Sequence, residues 1–218
     1  MSSIKRKALC LKDVTLMVAN RHLLGPLNLT IDEGEITTVM GPSGSGKSAL
    51  LNFICGTLGP DFKSSGEIIL KGRALRTLVV ERRRVGILYQ DDLLFPHMSV
   101  GENLMFALPA DLRGTNERQM RVDQALIDAD LEGYADRHPV TLSGGQRARI
   151  ALMRILLSEP EALLLDEPFG ALDKSLRAQF RSFVFGHARS RGLPTLLVTH
   201  DHEDAAAAGG DLVDVTQI

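Results

Sequence analysis

The spacing of apolar residues changes period along this chain in a definite order. Ala8 to Val18 reads as a strand, and Asn20-Arg21-His22 reads as a turn. Leu27-Asn28-Leu29-Thr30-Ile31 alternates apolar with polar residues, the period of a strand with one face exposed. Asp32-Glu33-Gly34 turns the chain into a buried strand, Glu35 to Met40, and Ala49 to Cys55 reads as an apolar helix. Gly56 to Ser65 is loop-rich, with short strands at Gly66 to Leu70 and Val85 to Leu88. From Asp91 the period becomes helical. Ser99 and Glu102 form a capping box for a helix through Ala107. Asn116, with Gln119, is expected to cap a second helix with Val122, Ala125, Leu126 and Ala129 on one face. A third helix runs from near Gly144 to Leu157. Alternation of strand and helix then resumes: Ala162 to Leu165 is strand, and Asp173 caps a helix with Leu176, Phe180, Phe183, Val184 and His187 on one face, ended by Gly192. Thr195 to Thr199 is strand, His202 to Ala208 helix and Leu212 to Val215 a last strand. The pattern predicts an α/β core with a helical lobe inserted at about Asp91 to Leu157.

Between the buried strand and the apolar helix lies Gly41-Pro42-Ser43-Gly44-Ser45-Gly46-Lys47-Ser48, spaced G-x-x-x-x-G-K-S. Glycines let successive backbone N–H groups converge on phosphate oxygens, and the following helix adds its positive end. Lys47 would reach the β- and γ-phosphates, and Ser48 would ligand Mg²⁺. A Gly/Ser-rich turn containing a lysine is the plain alternative, but strand before and helix after are the frame that a phosphate loop requires.

Two later stretches extend the chemistry. Leu163-Leu164-Leu165-Asp166-Glu167 is an apolar strand ending in two carboxylates, and a parallel sheet places such ends in its ligand crevice. Asp166 would hold the Mg²⁺ shell, and Glu167 would orient or deprotonate an attacking water. Leu142-Ser143-Gly144-Gly145-Gln146 pairs a glycine nest with a helix start. Since the chain already has a phosphate loop, this second one is expected to serve the nucleotide of another copy.

Bulk properties narrow the classes. The chain has 218 residues with 44% hydrophobic, 24% charged and a net charge of -2, which suits a globular protein and gives no sign of a nucleic-acid binder. Cys10 and Cys55 fit no metal spacing and read as reduced, cytosolic thiols. Lys5, Arg6 and Lys7 are basic, but Lys12 and Asp13 interrupt the apolar stretch behind them, against a signal peptide. No apolar run is long enough to cross a bilayer, so a membrane role would come through a partner.

The order Gly41–Ser48, Gln90, Leu142–Gln146, Leu163–Glu167, Ala171-Leu172-Asp173 and His200 resembles an ABC-transporter ATP-binding subunit over nearly the whole chain. The resemblance implies a P-loop NTPase (RecA-like) α/β core with an antiparallel β subdomain and an inserted α-helical subdomain. It implies a single domain over 1–218, with 1–90 and 158–218 as the ATP-binding core and 91–157 as the helical part. It implies ATP and Mg²⁺ as cofactors, two nucleotides sandwiched in a head-to-tail homodimer, and ATP hydrolysis. Carried over by residue, Lys47, Glu167 and His200 are catalytic, and Ser48, Gln90 and Asp166 surround the metal. Ser143, Gly144, Gly145 and Gln146 face the partner's nucleotide, with Ser143 and Gly145 on the γ-phosphate. Asp173 sits at that interface, and His200 contacts the γ-phosphate.

Leu93 to Leu104 further resembles bacterial importer subunits of the polyamine, ferric-ion and thiamine type. That implies a cytoplasmic protein peripheral on the membrane, a permease whose short helix docks beside Leu93, Leu94 and Phe95, and an extracytoplasmic solute-binding protein in the same system. The chain stops soon after the His200 helix, so the C-terminal regulatory domain of some importer ATPases is not expected. An exporter or lipid-extracting complex is the alternative, and a soluble ABC ATPase lacks support, with one ATPase half and no heptads. Two departures stand out. Val18 occupies the place where the family stacks adenine on an aromatic; His22 in the nearby turn could substitute, with an exposed turn histidine as the favoured reading; and Ala49 replaces the usual Thr after Ser48.

Overall fold

The computed structural model describes residues 7–215; Lys5 and Arg6 lie outside them. The chain divides into two compact units, one made of residues up to Ile87, Glu161–Glu167 and Ser182 onward, the other of Leu88–Pro160 and Pro168–Arg181.

The first unit holds two sheets. Strands β1 (Lys7–Val18), β2 (Arg21–Asp32), β4 (Phe62–Leu70) and β5 (Arg73–Ala74) pair antiparallel in the order β2-β1-β4-β5. The second sheet orders β6 (Val85–Leu88), β7 (Ala162–Asp166), β8 (Thr195–Thr199), β3 (Ile36–Met40) and β9 (Leu212–Asp214), with β7, β8, β3 and β9 parallel. All residues of β3 and β8 are buried, which explains their lack of alternation: covered on both faces, they have no polar side to present. Helix α1 (Lys47–Cys55) fills the space between the sheets. Its Leu50, Leu51 and Ile54 join one apolar cluster with Leu9, Leu11 and Leu16 of β1 and Val39, Leu164, Leu196 and Val198 of the parallel sheet. Each such buried side chain contributes about 1.5–3 kcal/mol.

The hairpin of β1 and β2 is longer than the alternation Leu27 to Ile31 suggests. It closes at Val18↔Arg21 through Ala19 and Asn20, both at positive φ, and β2 runs through Pro26. A proline is tolerated there because β2 is the edge of its sheet.

The end of α1 at Cys55 falls where the sequence placed it, and a distant arginine secures it. Gly56 closes it at φ 88° with its N–H on Asn52 O and Phe53 O, and a Cβ at that glycine would stand 2.6 Å from Arg83 Cζ. Arg83 ends a short helix α2 (Val80–Arg83) and is buried; its guanidinium donates to Phe53 O at 2.9 Å, Ile54 O at 2.8 Å and Leu78 O at 3.2 Å. A cation thereby meets the negative end of the phosphate-loop helix.

In the second unit, α3 (Val100–Phe106) has the expected capping box of Ser99 and Glu102. Helix α4 (Thr115–Asp128) corrects the expectation for Asn116: the helix starts two residues earlier than a cap at Asn116 would set it, its N-cap is Gly114, and no side chain caps it. Gln119 is committed forward instead, donating to Asp123 Oδ1 at 2.9 Å. Val122, Ala125, Leu126 and Ala129 are buried as the period requires. Helix α5 (Gly144–Leu157) completes the three-helix packing.

Helix α6 (Lys174–Ser190) is capped by Asp173, whose Oδ1 accepts from the N–H groups of Ser175 and Leu176. Its buried apolar residues are Phe180, Val184, Phe185 and Ala188, so the inward stripe is rotated from the expected one; Phe183 and His187 are half-buried and meet edge to face at 4.6 Å. Asp201 caps α7 (His202–Ala208).

Burial raises the Cys55 thiol from 9.0 to about 11, against the opposing pull of Arg83. The unfolded chain therefore loses this proton first, so the stabilisation is complete below pH 9 and is lost as pH rises towards 11. The expected loss approaches about 3 kcal/mol. Urea midpoints of the native chain and Cys55→Ala at pH 8 and pH 10.5 check it: the native chain is expected to fall further between the two pH values. Parallel falls would place the titration elsewhere.

Candidate nucleotide site

The register of the parallel sheet gathers the first half of the site. Met40 pairs with Thr199 and Asp166 with Val198, so the loop after β3, the carboxylates after β7 and His200 after β8 leave the same end of the sheet. Glycine is needed at Gly46, the N-cap of α1, with φ 90°. A Cβ there would stand 2.9 Å from Leu23 Cγ, so the loop lies against the β1–β2 hairpin. No side chain caps α1 and its first turn holds no acidic residue, which leaves its first N–H groups for an anion.

Lys47 is 5% exposed and donates to Gly41 O at 2.7 Å and Pro42 O at 2.9 Å, closing the loop on itself. An ammonium has three donors, so one remains for a phosphate oxygen. Ser45 Oγ is buried with no partner among the described residues, and a phosphate oxygen in the loop would satisfy it. Ser48 Oγ donates to Asp166 Oδ1 at 3.0 Å. Burial raises the Asp166 pKa; the Ser48 hydrogen bond lowers it, Glu167 raises it and Lys47 lowers it. A desolvated carboxylate beside a hydroxyl is a hard-oxygen pair of the kind Mg²⁺ takes together with water and phosphate oxygens. Among the described residues no three His, Cys, Asp or Glu side chains cluster as a metal cage.

Glu167 has φ 46°, a left-handed conformation that costs a non-glycine residue roughly 1–3 kcal/mol. Its N–H donates to Val198 O, and its carboxylate reaches Lys47 Nζ at 4.0 Å and His200 Nδ1 at 3.1 Å. The strained turn lifts this carboxylate off the strand line and between the Lys47 ammonium and the His200 ring.

The other expected residues belong to the second unit. Ser143 is the N-cap of α5: its hydroxyl accepts from Gln146 N–H at 3.3 Å, and Gln146 Oε1 accepts from Ser143 N–H at 2.9 Å. The stretch first read as a glycine nest is thus also a capping box. Gln90 and Gly144 line one cavity of about 260 Å³ with Asp92, Arg147 and Phe180. Asp173 is exposed at the start of α6, and hydrogen bonds from Leu176 and Ser175 lower its pKa. Ser48, Asp166, Glu167 and His200 are brought together in one unit; Gln90, Ser143 to Gln146 and Asp173 are in the other.

Residues 24–170 match the family described as ABC transporter. The chain belongs to the ABC transporter family. It is 47% identical over 96% of its length to the uncharacterized ABC transporter ATP-binding protein YnjD of Escherichia coli (strain K12), covering 95% of that protein. It is 37% identical over 94% of its length to the probable sulfate/thiosulfate import ATP-binding protein CysA of Chlorella vulgaris, covering 86% of it. It is 41% identical over 93% of its length to the spermidine/putrescine import ATP-binding protein PotA of Nitratidesulfovibrio vulgaris (strain ATCC 29579), but spans only 54% of that protein. Among solved structures, the dimeric post-hydrolysis state of the ATP-binding cassette MJ0796 bound to ADP and Pi matches with a TM-score of 0.77 and 31% identity, covering 95% of this chain and 94% of that one.

One residue near this ABC site escaped the sequence reading. The β1–β4 register sets Phe62 opposite Val18, on the same sheet face, while His22 is exposed across from Met17. No local spacing signals that pairing, because Phe62 lies beyond the phosphate-loop helix in the chain. Phe62 is half-buried, and Val18, an aliphatic residue, has no ring to offer a base. Val18→Tyr is expected to raise ATP affinity about tenfold, within the 1–3 kcal/mol of a base stacked on an aromatic, and to leave affinity for inorganic tripolyphosphate unchanged. Titration of both ligands checks this; no gain for ATP would sink it.

Proposed function

We propose that this chain is the ATP-hydrolysing subunit that powers solute import through a separate integral-membrane permease. The observation that carries the reading is the convergence of Lys47, Ser48, Asp166, Glu167 and His200 at one end of the parallel sheet. Gly41 to Ser48 hold the triphosphate by backbone N–H groups and Lys47. Ser48 and Asp166 would hold Mg²⁺, which would supply positive charge to the β- and γ-phosphates. Glu167 accepts a proton from the attacking water, and His200, beside it, steadies the γ-phosphate. Ser143 to Gln146 of a second copy, with Asp173 at the interface, complete each site, so ATP closes the dimer and product release opens it.

The domain division proposed is a nucleotide-binding core and a helical subdomain that contacts the permease. Leu93, Phe106 and Met120 of the second unit are exposed at 57%, 65% and 63%, apolar surface suited to a short permease helix. No helix among the described residues is long and apolar enough to cross a membrane, so the proposed position is peripheral, on the cytoplasmic face, through that permease. An extracytoplasmic solute-binding protein is proposed as a further component. The named relatives differ in cargo, which fits a solute chosen by the permease and binding protein.

Glu167→Gln removes the base and keeps the shape. Phosphate release is expected to fall 10²–10⁴-fold, the usual contribution of a general base, while ATP still binds and a dimer accumulates on sedimentation. Wild-type turnover in this variant would remove Glu167 from the catalytic role.

A further inference from the structure

Within the second unit, the segment following Gln90 is fastened to α5. The Arg147 guanidinium donates to Asp92 Oδ2 at 2.8 Å and to Leu142 O at 2.8 Å, bridging that segment to the residue before Ser143. Two turns further along α5, Arg154 donates to Leu93 O at 2.9 Å and Asp92 O at 3.3 Å, lies 5.3 Å over the Phe95 ring, and reaches Asn103 Oδ1 at 3.4 Å. Asn103 is fully buried; its Oδ1 also accepts from Phe95 N–H, and its amide donates to the carbonyls of Phe95, Met98 and Ser99. Asp92 turns the chain through its Oδ1, which accepts from Leu94 N–H at 3.1 Å. The whole loop from Asp92 to Ser99 is thereby tied by side chains of α3 and α5.

What these bonds hold is strained. Leu93 has φ 49° and is 57% exposed. A left-handed backbone is unfavourable for leucine, and an exposed side chain recovers little of that by burial. Such a conformation persists where its surroundings over-determine it, and the two arginines do so here.

We propose that Arg147 and Arg154 are positioning residues that make the strained Asp92–Leu93 turn and α5 one body, so that a push on the exposed Leu93 side chain reaches the Ser143–Gln146 start of that helix. Its meaning for turnover rests on Ser143 to Gln146 being the second half of the nucleotide site. The geometry suits transmission. Arg147 reaches the turn from a position adjacent to Gln146, and Arg154 holds the same turn from farther down the helix, so the turn cannot shift without shifting or breaking both anchors. Guanidinium is suited to this because one rigid fork serves two acceptors at once.

The test uses the full chain carrying Glu167→Gln, with Arg147→Met, Arg154→Met, Arg154→Lys and Arg149→Met added singly. Arg149 is the control: it leaves the same helix to bind Ala129 O and Asp130, away from the turn. Amide hydrogen exchange of the nucleotide-free chain is expected to accelerate at least tenfold in both 91–95 and 143–147 for the two Arg→Met clamp variants. Arg154→Lys retains the charge and one bond, and is expected to give the same paired change, about threefold; it keeps the test open should a methionine variant fail to fold. The ATP concentration for half-maximal dimer is expected to rise about tenfold in Arg154→Met, with fluorescent-ATP affinity at monomer concentrations within twofold of the parent. Acceleration at 91–95 alone, or the same paired change in Arg149→Met, overturns the proposal. Failure of the parent to dimerise with ATP would count against the signature-loop reading, while the paired exchange would still decide the clamp.

Discussion

Register in a parallel sheet decides where this molecule can do chemistry. Because Met40 lies beside Thr199 and Asp166 beside Val198, the segments leaving β3, β7 and β8 emerge at one end of the sheet. Everything that follows depends on that alignment. The phosphate loop, the hydroxyl of Ser48, the paired carboxylates and His200 come from distant parts of the sequence, and a shift of one residue in any strand would turn its terminal side chain to the other face. The fully buried β3 and β8 hold the alignment, since slippage would cost the packing of Leu196, Val198 and Val39 against α1.

The phosphate loop is supported from both ends of its helix. At the front, Lys47 ties Gly41 and Pro42 together, and Gly46 lets the loop approach the hairpin. At the back, Arg83 takes the carbonyls of Phe53 and Ile54. Desolvation lowers the Arg83 pKa, with Cys55 opposing the change, yet the group keeps its charge because guanidinium ionises so far above neutrality. The second unit repeats the device with different parts. Its buried polar groups, Asn103 above all, are matched to backbone acceptors and donors, which is the condition under which burying them favours one loop geometry over others.

Local pattern made much of this readable. The G-x-x-x-x-G-K-S spacing, the apolar strand ending in Asp166 and Glu167, and the capping box at Ser99 are short-range signals, because each depends on neighbours along the chain. The readings that needed correction are those where a side chain chose a different partner. Gln119 turned to Asp123 instead of a cap, and α6 turned Phe185 and Ala188 inward while leaving Phe183 and His187 half-buried. Propensity and period constrain a helix's existence more tightly than its rotation, which is settled by what it packs against.

By itself, then, the sequence determined that a phosphate loop exists, that a strand delivers two carboxylates, and that helical and sheet-forming stretches alternate in this order, since these follow from residue type and spacing within one element. Only the tertiary structure decided the partners made across long separations: Phe62 beside Val18, His200 against Glu167, Arg83 on the end of α1, and Arg154 on the turn at Leu93. Each of those contacts exists because strands took one register or a long flexible side chain found unsatisfied carbonyls within reach, and neither condition is written in local order.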